Sequence, residues 1–305
     1  MRKGQRHIRH SLGDRVFLTI NFLLLTAFFI LLAYPLLFVI VASFSGQAMT
    51  MTLSLWPKSI SWTGYEAVFE YQFVGIGYRN SLIYLVLATV ISLIVTICCA
   101  YPLSRKGFKG GPFIMALCVF TMYFSGGLIP TYLLIRDLKM LDTIWALILP
   151  GSLSVYNMIV MRTYFKTQIP DELLEASQID GCKDLRFLIQ IVLPLSGPII
   201  AVIALYVAVG QWNSYFDPLI YMRTREKLPL PVFLREILVL NTNVNGEQTS
   251  MTQLETNPEV LAARERRKEI MKYALIIVSS APVMAIYPFV QRFFVKGILI
   301  GSIKG

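Results

Sequence analysis

Six stretches of about twenty residues or more carry no Asp, Glu, Lys, Arg or His in their interiors: 16–42, 81–103, 112–135, 143–161, 195–216 and 273–291. Crossing the hydrocarbon core of a bilayer takes roughly 20 apolar residues in a helix. In lipid, every backbone N–H and C=O must be satisfied inside the segment itself, so such stretches become helices. The expected fold class is therefore an all-α polytopic membrane protein with six transmembrane helices. Composition agrees: 55% of the 305 residues are hydrophobic and only 15% are charged, against about 25% charged in soluble domains. That balance excludes a disordered chain. Four cysteines, none in a small loop-rich setting, exclude a disulfide-stapled secreted fold. Cys98, Cys99 and Cys118 fall inside spans and Cys182 in a loop, so free thiols are expected.

The first stretch is longer than the apolar core of a signal peptide and has no small-residue cleavage site after it, so it reads as a start-transfer helix, with a kink expected at Pro35. The net charge of +10 is read as topology, since basic residues are retained on the cytoplasmic side. Nucleic acid is not an expected partner. Arg2, Lys3, Arg6, Arg9 and Arg15 precede the first span. Arg105, Lys106 and Lys109 follow the second, Arg162, Lys166, Lys183 and Arg186 the fourth, and Arg292, Lys296 and Lys304 the sixth. This pattern places both termini in the cytoplasm. The expected organisation is a cytoplasmic tail over 1–15, a membrane domain over 16–296 and a cytoplasmic tail over 297–305. The membrane domain carries a cytoplasmic loop at 162–194 and an outer loop at 217–272. The outer loop holds nine basic residues, four of them at 264–268, against the rule.

Ion-coupled transport commonly uses ionisable groups inside the membrane, and a channel needs a selectivity element; neither is evident. The P-loop pattern G-x-x-x-x-G-K-[ST] is absent. The only His residues, His7 and His10, lie in the tail, and no metal set or catalytic constellation stands out. The chain reads as a non-enzyme. If it moves a solute uphill, another subunit must supply the energy through a cytoplasmic loop.

The 162–194 loop contains Pro170-Asp171-Glu172-Leu173-Leu174-Glu175-Ala176-Ser177-Gln178-Ile179-Asp180-Gly181. Pro170 suits a first helical position, and Asp171, Glu172 and Glu175 lie near the positive helix end. Leu173, Leu174 and Ala176 supply apolar surface. Gly181 suits a positive φ just past the helix. A second amphipathic stretch, 185–192, leads to Leu193-Pro194.

The spacing Glu175-Ala176-Ser177, three residues, Gly181, nine residues, Ile191, one residue, Leu193-Pro194 resembles the EAA loop of permeases of ATP-binding-cassette (ABC) importers, with Ser177 in place of a second Ala. The resemblance extends over nearly the whole chain. The run Gln211-Trp212-Asn213-Ser214-Tyr215-Phe216-Asp217-Pro218-Leu219, the outer-loop segment 228–238 and the C-terminal segment from Tyr287 to Gly305 are similar to binding-protein-dependent, maltose-type carbohydrate permeases. They resemble its MalG-like subunit, in a branch that takes up oligosaccharides.

The resemblance implies a type I ABC importer permease fold in the bacterial cytoplasmic membrane, working by alternating access. It implies as partners a homologous second permease, two ATP-binding subunits, an extracytoplasmic solute-binding protein and a sugar. No cofactor is expected in this chain; ATP and Mg would be bound by the partner ATPases. Coupling to the ATPase falls on Glu175, Ala176, Ser177, Asp180, Gly181, Ile191, Leu193 and Pro194. The C-terminal tail either touches the ATPases or frays.

Gln211, Trp212, Asn213 and Tyr215 are candidates for the substrate path, with an interfacial aromatic belt as the other reading of Trp212. Tyr156 and Asn157 either line the path or join helices. Tyr123, Gly126, Gly127 and Pro130 are read as close packing and a kink. Pro231, Phe233, Leu234, Arg235 and Ile237 form a candidate docking helix for the binding protein, with 241–256 polar and the basic 264–268 face either docking or lying on lipid headgroups. The rival functions are the same machine for a non-sugar solute and, less favoured, an ATP-independent secondary transporter.

Overall fold

A computed structural model describes residues 11–45, 59–238, 269–288 and 291. The described chain is helical; its β pairing is one isolated antiparallel bridge between Ser45 and Ile60. In order, the helices are α1 (Leu12–Ser43), α2 (Thr63–Glu70), α3 (Gln72–Ser104), α4 (Gly111–Tyr123), α5 (Leu128–Asp137), α6 (Trp145–Ile148), α7 (Val155–Gln168), α8 (Asp171–Ile179), α9 (Asp184–Phe187), α10 (Leu193–Leu195), α11 (Gly197–Trp212), α12 (Phe216–Tyr221), α13 (Leu230–Leu238) and α14 (Glu269–Pro288).

Three of the six apolar stretches become single helices long and apolar enough to cross a membrane: α1, α3 and α14. α1 opens with a capping box, in which the Ser11 hydroxyl accepts from Asp14 N–H and the Asp14 carboxylate from Ser11 N–H. Pro35 lies inside α1 without ending it.

The other three stretches depart from the expected spans. The third is two helices, α4 and α5, meeting at 112°. Gly127 has φ +86° at the joint, a conformation open to glycine, so the break exceeds the expected kink. The fourth is not one helix. Pro150-Gly151 interrupts it after the four residues of α6, and Ser154 caps a new start by accepting from Asn157 N–H. The resulting α7 has 14 residues, about 21 Å at 1.5 Å per residue, against the roughly 30 Å of a hydrocarbon core. The fifth becomes α11, preceded by the helical segment Asp184–Leu195 at 81° to it. Counting each bent pair as one span gives up to five among the described residues.

The chain divides into two compact units, 1–70 with 250–278, and 71–249 with 279–305. In the smaller unit, Phe38 meets Tyr273 edge-on at 5.8 Å and the Ser43 and Tyr65 hydroxyls pair at 2.8 Å. Most of α1 presents bare Leu, Ile and Phe outward, a surface suited to lipid.

The larger unit is built on α3. Its buried face repeats small residues: Gly77, Ser81, Ala88, Ser92, Thr96 and Ala100. Small side chains let neighbouring helices approach closely, which is how apolar helices associate without a hydrophobic driving force. α11, α7 and α13 pack along this helix. At the Ser104 end, Ala100 and Tyr101 join Met161, Phe165 and Phe187 in a buried core. At the other end Gly77 admits α13: a Cβ there would lie 2.8 Å from Phe233 Cδ2 and 3.0 Å from Leu230 Cα.

Gly77→Val is therefore expected to cost about 1–3 kcal/mol, the range for overpacking, seen as a lower melting temperature of the purified chain in detergent. An unchanged melting temperature would contradict this packing of α13.

Candidate functional site

The EAA-like loop folds as a helix and a tight stop. Pro170 sits just before α8 rather than at its first position, and Asp171 and Glu172 occupy the first turn. The stop is a Schellman motif: Cys182 N–H donates to Ser177 O (2.9 Å) and Gly181 N–H to Gln178 O (3.0 Å), with Gly181 at φ +74°. Ser177 is buried, and its hydroxyl donates to Leu174 O at 2.7 Å. A small hydroxyl thus fills the Ala position without an orphaned polar atom. Leu174 packs on the core beside α7. Glu175, Ala176, Asp180 and Leu173 are exposed, and Ile179 is 87% exposed. Ser177 and Gly181 build the loop; Glu175, Ala176 and Ile179 form its free face. Ile179 was not singled out from sequence, although it continues the Leu173–Ala176 face at helical spacing.

Ile191 and Leu193 are half-buried against the core, and Pro194 is exposed. Residues Leu188–Val192 form a π-helical turn. Pro194 has no N–H to offer the preceding turn, which accounts for a widened register just before it.

α8 is fastened to the end of α3. Lys106 Nζ lies 2.7 Å and Arg105 Nη1 3.9 Å from the Asp171 carboxylate. Arg105 is only 13% exposed, and its Cζ sits 4.9 Å from the Tyr101 ring centre and 5.2 Å from that of Phe187. Its Nε and Nη2 find no acceptor among the described residues, so aromatic faces take the place of hydrogen bonds. The hydrogen bond from Lys106 holds the Asp171 carboxyl below the usual range, and the same bond raises Lys106. Tyr101 hydroxyl donates to Asp184 O at 3.4 Å and Arg162 Nε to Leu103 O at 2.7 Å. The sequence offered Arg105 and Lys106 only as topological charge; nothing local pairs them with a residue as distant along the chain as Asp171.

At the opposite end of α3, Asn80 Nδ2 donates to Glu226 O and Leu228 O, Tyr84 hydroxyl to Lys227 O, and Leu230 N–H to Ser81 Oγ. The 223–227 segment closes on Asp142. One carboxylate oxygen accepts from the N–H groups of Arg223 and Thr224 at 3.0 Å; the other accepts from Thr224 Oγ1 at 2.6 Å and Lys227 Nζ at 2.7 Å. Burial would push the Asp142 carboxyl up, but these bonds outweigh it and hold it well below the carboxylate range. Asp142 was missed from sequence because an acid bordering an apolar run looks like an ordinary boundary.

The docking-helix expectation is corrected in part. α13 forms, but Phe233 (0% exposed) and Ile237 are buried within the chain. Phe233 stacks on Phe73 at 5.4 Å, and Arg225 lies over both rings while pairing with Glu236 at 3.0 Å. Pro231, Leu234 and Arg235 remain partly exposed.

The path candidates also separate. Trp212 is 4% exposed, donates Nε1–H to Ser279 O at 3.1 Å and meets Tyr78 edge-on at 5.6 Å. Its ring is packed within the chain. Gln211 is half-buried, while Asn213 and Tyr215 are exposed. Arg235 Cζ lies 5.8 Å from the Tyr215 ring centre, so the end of α11 and α13 meet. Tyr156 is exposed on α7, and Asn157 is buried at its first turn. Residues 241–256, 264–268 and 297–305 lie outside the described residues.

No family model matches the chain. It is 37% identical over 304 residues to protein LplC of Bacillus subtilis strain 168, covering 98% of this chain and 99% of that protein. It is 36% identical over 294 residues to the polygalacturonan/rhamnogalacturonan transport system permease protein YtcP of the same organism, covering 96% and 99%. Among solved structures, it is similar to a chain of a bacterial ABC transporter involved in the import of the acidic polysaccharide alginate. The TM-score is 0.83 and the identity 31%, over 94% of this chain and 100% of that one.

Asp142→Asn keeps the shape and removes the charge. The folded carboxyl is held below an unfolded value of about 3.9. Its stabilisation is therefore complete above that value and is lost as pH falls through the folded one. The wild type is expected to be more stable than D142N at neutral pH, with the difference shrinking below about pH 4. A difference that stays constant on acidification would contradict the charge-based account.

Proposed function

This chain belongs to the permease family of carbohydrate ABC transporters, and from that premise we propose that it is the MalG-like membrane subunit of an ATP-driven, binding-protein-dependent oligosaccharide importer in the bacterial cytoplasmic membrane. It pairs with a homologous permease, two ATPase subunits that hold ATP and Mg, and an extracytoplasmic binding protein. The six apolar stretches cross the membrane, the bent and interrupted ones included, with both termini in the cytoplasm. Irregular backbone at membrane depth is tolerated where protein or a water-filled cavity surrounds it, and the breaks at Gly127 and Pro150 are read as such places.

The observation that carries this reading is the build of α8. Its exposed face, Leu173, Glu175, Ala176 and Ile179, is apolar with acidic flanks. Its far side is fixed by Ser177, by the Gly181 stop and by the grip of Lys106 and Arg105 on Asp171. An exposed helix so stiffly attached suits a lever. The ATPase grips the free face, and Ile191, Leu193 and Pro194 carry the motion into α11.

The second route is α3. Its 33 residues span about 50 Å at 1.5 Å per residue. One end holds α8, and the other holds the 226–230 segment through Asn80, Ser81 and Tyr84. Closure of the ATPases drives the coupling loops together and turns the cavity outward; hydrolysis returns it inward. Several relatives are named for oligosaccharide or polysaccharide transport, among them the arabinooligosaccharide permease AraQ of Halalkalibacterium halodurans (27% identical over 279 residues), which supports the substrate class.

Gly181→Val forces a β-branched residue to φ +74°, and Glu175→Lys reverses charge on the free face. Each is expected to abolish sugar-stimulated ATP hydrolysis in the assembled complex while the chain still inserts into the membrane. Undiminished stimulation in both would overturn the coupling assignment.

A further inference from the structure

α4 is loosely held: none of its residues is fully buried. One stripe of it, Pro112, Met115, Ala116, Val119, Phe120 and Tyr123, recurs at helical spacing and walls an open groove of about 640 Å³. Across the groove stands one charged residue, Arg162 of α7. Arg162 lies toward the Pro112 end. Its Nε donates to Leu103 O at 2.7 Å, and a Cβ on Gly111 would meet Leu103 Cδ2 at 4.0 Å. From Pro112 to Tyr123 the stripe runs about 16 Å at 1.5 Å per residue, close to one leaflet of a hydrocarbon core roughly 30 Å thick.

Arg105 and Lys106 are taken by Asp171, Arg225 by Glu236 and Lys227 by Asp142. Arg162 is half-buried, and no carboxylate pairs with it among the described residues. With Nε bound to Leu103 O, its two terminal amino groups keep their donors for a ligand. Lys109, just before α4, and Lys166, one turn further along α7, are exposed and add positive charge toward that end. A guanidinium at the head of an apolar groove calls for an anion and a long apolar body in one molecule. A protein partner would have to bring a separate carboxylate to that depth, where charge is costly. We propose that the groove is a site for an anionic phospholipid such as phosphatidylglycerol. Its phosphate meets Arg162 and one acyl chain lies along the α4 stripe. The lipid then supplies the packing that α4 lacks within the chain. The proposal rests on the reading of α4 and α7 as crossing the membrane with Arg162 at the cytoplasmic end.

The test reconstitutes the assembled transporter in phosphatidylcholine nanodiscs doped with one of two probes, phosphatidylglycerol or phosphatidylcholine with a diazirine on one acyl chain. After illumination, the 112–123 peptide is expected to be marked about fivefold or more strongly by the phosphatidylglycerol probe, the scale of one basic residue facing anionic lipid. Arg162→Gln is expected to remove that preference and Arg162→Lys to retain most of it, although neither side chain has the Nε–H that bonds Leu103 O. Loss of the preference in both variants would trace it to that bond and overturn the proposal. Equal marking by the two probes in the wild type, or a preference that survives Arg162→Gln, would also overturn it. So would a 112–123 peptide left unmarked while the exposed face of α1 is marked, the result expected if the second permease covers the groove. Absence of marking on α1 as well would remove the membrane reading itself.

Discussion

The close approach permitted by the small-residue face of α3 is the constraint on which the larger unit depends. Helices in an apolar medium gain little from burying apolar area, so contact here rests on van der Waals fit. Gly77, Ser81, Ser92 and Thr96 keep that face narrow enough for α13, α11 and α7 to lie against it. Phe233 then enters at Gly77 and carries Arg225 and Glu236 with it. At the other end, the same helix delivers Tyr101 and Arg105 to the base of α8.

Charge acts at the helix ends. Among the described residues, the ion pairs engage Asp171, Asp137, Glu236 and Asp142, each in a loop or within a turn or so of a helix terminus. Exposed pairs such as Lys106–Asp171 are screened by solvent, so they act as registers more than as sources of stability. Asp142 differs because four donors converge on it, and two of these are backbone N–H groups that nothing else would satisfy as well. On the proposed reading, these registers let a lever on one side of the membrane be felt on the other.

Much of this was legible in the sequence. Long charge-free stretches placed α1, α3 and α14, and the spacing around Glu175 and Gly181 placed α8 and its stop, because each depends on neighbours within a turn or two. The breaks were less legible. Hydropathy reads through Gly126-Gly127 and Pro150-Gly151 because they lie in apolar company, yet backbone freedom decides the path there. Long-range contacts were not legible at all. Trp212 has the chemistry of a sugar platform, but Ser279 and Tyr78 claim it; Phe233 has that of a docking surface, but Gly77 makes room for it inside.

The central claim is that the free face of α8 is where an ATP-hydrolysing partner takes hold. An Ile179→Cys substitution, at a position 87% exposed in this chain, reports on it directly in a background with Cys98, Cys99, Cys118 and Cys182 replaced. In the assembled transporter, the account predicts that the introduced thiol is protected from a maleimide reagent and is cross-linked to an ATP-binding subunit by a short bifunctional reagent. Labelling of the complex as fast as that of the isolated chain, with no cross-link to that subunit, would contradict it.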